Sequence, residues 1–275
     1  MTNGSFDSQR IEKPEICNLL LRISRDEIHV AIYSIVEDNS LIYRRIVLDP
    51  NASSRLQAIE SVIYDNPILL SDFRQVTCVI ETEELTVVPS ECSSESDRQL
   101  LFNAAFPNSS LVMEADETGT RNATILMGLE TDLRGFLNRT FHRIRIMSHL
   151  GALSRYFASK GAQGNNLKMV VNARQKSLDV IVLDGHRLLM ANTFRADTPD
   201  NAAYYILACR QRLGLDPHSD ELLLAGDQTV REAITPILRT YISRVMPVIF
   251  PPQMFKAGRD AMIAPFDLIV TPICE

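Results

Sequence analysis

Apolar and polar positions alternate along the start of the chain as strands require. Residues 17–23 (CNLLLRI) form a short apolar run. Ile28, Val30 and Ile32 then alternate with His29, Ala31 and Tyr33, the period of two of a half-buried strand. After Glu37-Asp38-Asn39-Ser40 comes LIYRRIVL, a third strand. The connections, Ser24-Arg25-Asp26-Glu27 first, are short enough that the three strands are expected to form an antiparallel meander. The period then changes. Leu56, Ile59 and Ile63 recur at helical spacing, Ser53 or Ser54 can accept the first backbone N–H bonds, and Pro67 lies just past the end. QVTCVI (75–80) is a compact strand, and its helical connection predicts parallel pairing.

The middle reads as a helix over 95–105, strands over 111–114 and 124–129 around Glu117-Thr118-Gly119, and helices over 131–141 and 148–159 with RIRIM (143–147) between them. Residues 161–166 (GAQGNN) read as a linker. The opening pattern then returns. NLKMVVN (166–172) matches NLLLRIS (18–24) at an offset of 148, and SLDVIVL (177–183) is followed by the hairpin dipeptide Asp184-Gly185 and by RLLMANTFRA. Thr198 caps a helix with Pro199 at its first position; Ala202, Ile206, Cys209 and Leu213 make its buried stripe, and Gly214 ends it before ELLLAG (221–226). Both halves therefore read β-β-β-α-β. The prediction is an α/β protein of two such lobes with mixed sheets, residues 1–160 and 161–275. The first carries inserted elements and an N-terminal segment expected to be disordered.

Composition narrows the function classes. The chain has 275 residues and a formal net charge of −6, which disfavours nucleic acid and anionic membrane surfaces as partners. No apolar run reaches the roughly 20 residues of a bilayer span, and no apolar leader opens the chain, so a cytoplasmic location is expected. Cys17, Cys78, Cys92, Cys209 and Cys274 are scattered without a CxxC pair and are expected to be free thiols. Five N-x-S/T triplets then carry no weight.

Familiar reaction motifs are missing. There is no Walker A loop, no nucleophile elbow and no HExxH. Two-metal nuclease chemistry needs several converging carboxylates, and Glu60, Glu81 and Asp227 read instead as surface acids. His149, on an amphipathic helix near the junction of the halves, reads as a capping or packing residue. Arg143 and Arg145 are expected on one face of a strand, and Arg44-Arg45 on a second strand; an acidic partner is one reading and a solvated strand the one preferred. The apolar tail FDLIVTPICE is expected to dock into the core.

Tandem β-β-β-α-β units, with ELLLAG before a helix and DG between two strands, resemble the actin-like (sugar kinase–Hsp70–actin) superfamily with its duplicated ribonuclease H-like fold, and within it bacterial actin-like proteins of about this size. The resemblance covers the chain from about Cys17 onward. It implies a nucleotide, ATP with magnesium, in the cleft between the halves. In active members each half has a glycine-containing tight turn after its first strand and an Asp at that strand's end, and a glycine pair after the strand that follows the second half's helix lies near the adenosine. Here the turns 24–27 and 172–176 hold no glycine, and Ser24 and Asn172 stand roughly where the Asp would be. Ala225-Gly226-Asp227 keeps one glycine. Ser24, Arg25, Asn172, Gly226 and Asp227 are thus the candidate nucleotide-facing residues. The degenerate turns lead to the expectation of a non-catalytic scaffold with no cofactor, an unknown protein partner and a homodimer as one form. A working ATPase and a small-molecule kinase are the alternatives.

Overall fold

The computed structural model describes residue 11 and residues 13–92, 94–160, 167–249 and 258–274. The linker over 161–166 and most of the N-terminal segment lie outside the described residues.

The first lobe opens with β1 (Cys17–Ile23), β2 (Glu27–Ser34) and β3 (Ile42–Val47), continues through α1 (Arg55–Tyr64) to β4 (Gln75–Ile80), and later adds β8 (Arg145–Ser148). The sheet order is β3-β2-β1-β4-β8, with β1–β2 and β2–β3 antiparallel and β1–β4 and β4–β8 parallel. Ser54 caps α1, accepting from Gln57 N–H, while Ser53 pairs with the Gln57 side chain. Ala58, Ile59, Val62 and Ile63 are the buried stripe of α1.

The second lobe repeats the plan. It runs β9 (Lys168–Ala173), β10 (Ser177–Asp184), β11 (Arg187–Arg195), α5 (Pro199–Arg212), β12 (Glu221–Gly226), α6 (Gln228–Arg239) and β13 (Val245–Pro247). Its order is β11-β10-β9-β12-β13 with the same pattern of directions. Thr198 caps α5 ahead of Pro199, and Gly214 closes it at φ +70°. The expected actin-like architecture of two mixed-sheet lobes is what the chain forms.

Register corrects one expectation. Ile23 pairs Ile28 in β2 and Ile80 in β4; Ala173 pairs Leu178 in β10 and Gly226 in β12. Ile23 and Ala173 are thus equivalent, 150 positions apart rather than 148. The shared Asn-Leu of 18–19 and 166–167 suggested the shorter offset, but the hairpin bonds Ser24 N–H to Glu27 O and Arg174 N–H to Ser177 O set the true one. Ser24 therefore corresponds to Arg174, and Asn172 to Arg22.

Between β4 and β8 the first lobe carries an inserted three-stranded antiparallel sheet, β5 (Leu85–Pro89), β7 (Ala123–Leu129) and β6 (Val112–Glu117), with α2 (Glu95–Ala105) against it and α3 (Thr131–Thr140) after it. Arg143 sits in a turn at φ +52°, so it does not share a strand face with Arg145. α4 (His149–Ser159) then runs through the molecule's centre, and its first eight residues are all buried. α7 (Phe266–Val270) is fully buried as well, as expected for the tail, but it packs on β1 and α4 of the first lobe. The span 161–275 thus includes a piece that returns to the other lobe. Leu19, Leu21 and Leu150 of the first lobe share one apolar core with Val170, Ile181 and Ala225 of the second.

Candidate functional site

The hairpin turns β1–β2 and β9–β10 end at the cleft between the lobes, where the resemblance implies phosphates. Charged side chains of the chain itself meet there. Arg22, on the otherwise apolar β1, is 3% exposed. Its Nε donates to Asp267 Oδ2 at 2.7 Å, and a terminal nitrogen lies 2.7 Å from Glu81 Oε2. Arg174, the first turn residue of the second hairpin, is ion-paired to Glu81 and donates to Asp179 Oδ1 at 2.7 Å. Asp179, on β10, is fully buried. It also accepts from Asn172 Nδ2 at 2.9 Å and from Thr193 Oγ1 at 3.0 Å. His149, the first residue of α4, is equally buried; its Nε2 lies 3.1 Å from Asp179 Oδ1 and its Nδ1 3.2 Å from the Ile80 carbonyl.

This chain of contacts crosses between the lobes twice. Glu81 lies just beyond β4 in the first lobe and holds Arg174 of the second. His149, at the end of the first lobe's sheet, holds Asp179 of the second. Burial works against the Asp179 carboxylate, but Arg174, His149 and the Asn172 amide outweigh it and keep its carboxyl well below the usual range. Burial likewise opposes the charge on Arg22, and Asp267 and Glu81 override it. Two guanidiniums face three carboxylates here, so the cleft floor offers a triphosphate no surplus of positive charge.

The five sequence candidates are not alike. Ser24 is buried, and its hydroxyl donates to Glu27 O at 3.0 Å, closing its own turn. Arg25 is exposed at the tip of that turn. Asn172 is buried and spent on Asp179. Gly226 has φ +91°, and a Cβ there would overlap the carbonyl oxygen of Ala173. Its glycine is therefore required by two strand ends in close approach. Asp227 is the N-cap of α6, accepting from Thr229 N–H at 2.8 Å and Val230 N–H at 3.2 Å. The Thr229 hydroxyl bond is the main reason its carboxyl is held low. Among the described residues no group of three or more His, Cys, Asp or Glu is placed to hold a metal ion. No helix among them is long and apolar enough to cross a membrane, and the four cysteines whose side chains are described, Cys17, Cys78, Cys92 and Cys209, are free.

Sequence reading missed Arg22, Asp179 and Asp267, and weighed Glu81 only as a surface acid. A signal was present: Arg22 in CNLLLRI and Asp179 in SLDVIVL are lone charges inside apolar strands, where an ion is found only with a partner.

Comparison with known proteins agrees with the fold. The family model described as "Protein of unknown function (DUF3822)" matches residues 7–245. No curated protein matches the sequence. A crystal structure from Bacteroides thetaiotaomicron, described as a protein with actin-like ATPase fold and unknown function, superposes with a TM-score of 0.77 at 22% identity, covering 94% of this chain and 97% of that one. A PilM-PilN type IV pilus biogenesis complex gives a TM-score of 0.59 at 12% identity, covering 95% and 98%.

Proposed function

The chain belongs to the DUF3822 family of proteins of unknown function, and from that premise we propose that it is an actin-fold scaffold that associates with another protein and does not turn over nucleotide. The observation that carries the reading is the chain of ion pairs Asp267–Arg22–Glu81–Arg174–Asp179 in the interlobe cleft, extended by the hydrogen-bond contact of His149 with Asp179. Phosphoryl transfer depends on positioned amides and charges around the transferred group. At the second hairpin the place of a phosphate-binding turn is taken by Arg174, and both of its terminal nitrogens are engaged by carboxylates. A nucleotide would have to displace Arg174 from Glu81 and Asp179 and leave both acids unpaired, a large cost for buried charge. The pilus biogenesis complex supports the protein-binding part, since by its description it joins two proteins. The free thiols and the absence of a membrane-crossing helix among the described residues fit a cytoplasmic setting.

Isothermal titration with ATP and Mg²⁺, beside a phosphate-release assay, tests this. No heat of binding and no phosphate above the buffer rate is expected. Micromolar binding with turnover that Asn172→Leu abolishes would favour the ATPase alternative, for which exposed Arg25 and Lys176 at the cleft mouth supply attractive charge.

A further inference from the structure

The outermost parallel strands of the two sheets are treated differently. In the first lobe this strand is β8, and the inserted sheet covers it: Ser148 N–H donates to Asp116 Oδ2 of β6 at 2.7 Å. β13 holds the same place in the second lobe, where only α6 stands between it and β12 in the chain. Leu222 N–H donates to the Arg244 carbonyl and Val248 N–H to the Leu224 carbonyl, so Arg244, Met246 and Val248 turn their backbone groups to β12. Those of Val245 and Pro247 then face outward, since the direction alternates along a strand. Proline has no N–H. The edge therefore offers one donor, at Val245, and two carbonyl acceptors, and no described residue bonds them.

Beside this edge a groove of about 480 Å³ runs between β13 and α6, with Leu224 and Val245 at its floor and Met246 and Pro247 on one side. Ile234 and Leu238 are the buried residues of α6. Arg231, Thr235 and Arg239, four apart, form a stripe on the adjoining shoulder of the helix and line the other side of the groove. Arg231 Nε donates to the Gly226 carbonyl at 3.1 Å, but its terminal nitrogens and the whole Arg239 guanidinium have no partner among the described residues. Glu232, also on the rim, accepts from Gln228 Nε2 at 2.7 Å. Eight residues of helix set the two arginines about 12 Å apart along the groove. Residues i and i+4 of a strand lie about 13 Å apart on one face, with i+2 between them.

We propose that the β13 edge and its groove take an extended acidic segment of another protein. The segment adds a strand beside β13, places an apolar side chain over Leu224 and Val245, and sets carboxylates two residues to either side on Arg231 and Arg239. Only a polypeptide returns the backbone bonds that Val245 and Pro247 leave open, which favours a peptide over a lipid or a nucleic acid. The two guanidiniums choose its charge. This surface rests on the scaffold reading and adds to it the partner's chemistry and place. The two fail separately, since nucleotide turnover would sink the first and leave the edge standing.

The probe is a fluorescein-labelled synthetic peptide of β-branched residues with a leucine at its centre and a glutamate two positions to each side. One counterpart has lysine in place of glutamate. Two more are methylated at alternate backbone nitrogens, one in each register. Anisotropy with the full chain should show binding of the glutamate peptide, none of the lysine peptide, and loss of binding in one methylated register only. Arg231→Gln with Arg239→Gln should weaken binding about tenfold at low salt and flatten its salt dependence. Thr235→Phe, which fills the groove, should abolish it. Circular dichroism should show both variants folded; if Thr235→Phe does not fold, the arginine pair decides. Failure of the wild-type chain to bind the glutamate peptide, equal binding of the lysine peptide, equal behaviour of the two methylated registers, or affinity unchanged by the arginine pair would overturn the proposal. So would a dimer seen by light scattering and dissolved by Thr235→Phe, because the edge would then belong to a second copy.

Discussion

The two lobes share a backbone plan and spend equivalent positions differently. His29 and Asp179 stand at matching places, each opposite the penultimate residue of its lobe's first strand. His29 looks inward to its own lobe: its Nδ1 is 2.6 Å from the Tyr43 hydroxyl and its Nε2 2.8 Å from Glu27, which also holds Arg45 at 2.5 Å. Asp179 gathers Arg174, Asn172 and Thr193 of its own lobe and His149 of the other. Glu81 and Asp227, the residues just after β4 and β12, diverge likewise. Glu81 bridges the cleft, while Asp227 caps its own helix. The repeated plan holds two hairpins, and the second one's side chains, with Glu81 and His149, tie the lobes together across the cleft.

The sharpest way to break this comparison is to remove the two matching residues. Asp179→Ala leaves Arg174 and His149 facing each other without their shared acid, and a loss of about 3–5 kcal/mol in urea unfolding is expected for breaking a buried pair. His29→Ala strands only the Tyr43 hydroxyl, since Glu27 keeps Arg45; about 1–3 kcal/mol is expected for one unsatisfied buried group. Equal losses would mean that both clusters are local and that the cross-lobe tie is not special.

A second test uses two glycines of the second lobe. Both Gly226 and Gly214 have positive φ, but a Cβ at Gly214 meets nothing within 4 Å. Gly226→Ala must push the Ala173 backbone away as well as bear the strained conformation, so about 2–4 kcal/mol is expected against about 1 kcal/mol for Gly214→Ala. If the two substitutions cost the same, the glycine of ELLLAG is not there for strand approach.

The smallest effect is on the acid side of the first lobe. The hydrogen bond to His29, then Arg45, lowers the Glu27 carboxyl to about 2 against the cost of its burial. A lowered pKa stabilises the fold above the unfolded value of about 4.3 and that contribution is lost as pH falls through about 2. Glu27→Gln should therefore flatten the acid limb of the stability curve between about pH 4 and pH 2, by about 1 kcal/mol after allowance for partial exposure. Ser177, its counterpart in the second lobe, carries no such titration. An acid limb unchanged by the substitution would remove Glu27 from the local cluster.

Most of the fold is legible in the sequence because the strands alternate and the helices carry their caps: Ser54, Thr198 with Pro199, and Gly214 all act as their residue types suggest. β5 and β13 are not legible. Each is only a few residues long and ends in a proline, so neither shows a period. The cleft is half legible. The lack of glycine in both turns is visible from the residues. The ion pairs on its floor are not, because the fold alone brings Arg22, Glu81, Arg174 and Asp179 together, and Asp267 joins them only through the return of the tail. Asp267 meets Arg22 from 245 positions away, a contact no local pattern carries.

The most direct measurement is a crystal structure soaked with ATP and Mg²⁺, read for density between the turns at 24–27 and 174–177. The account predicts Arg174 still bridging Glu81 and Asp179, His149 still on Asp179, and no phosphate density between the turns. Triphosphate density there, with Arg174 turned away from Asp179 toward the γ-phosphate, would contradict it.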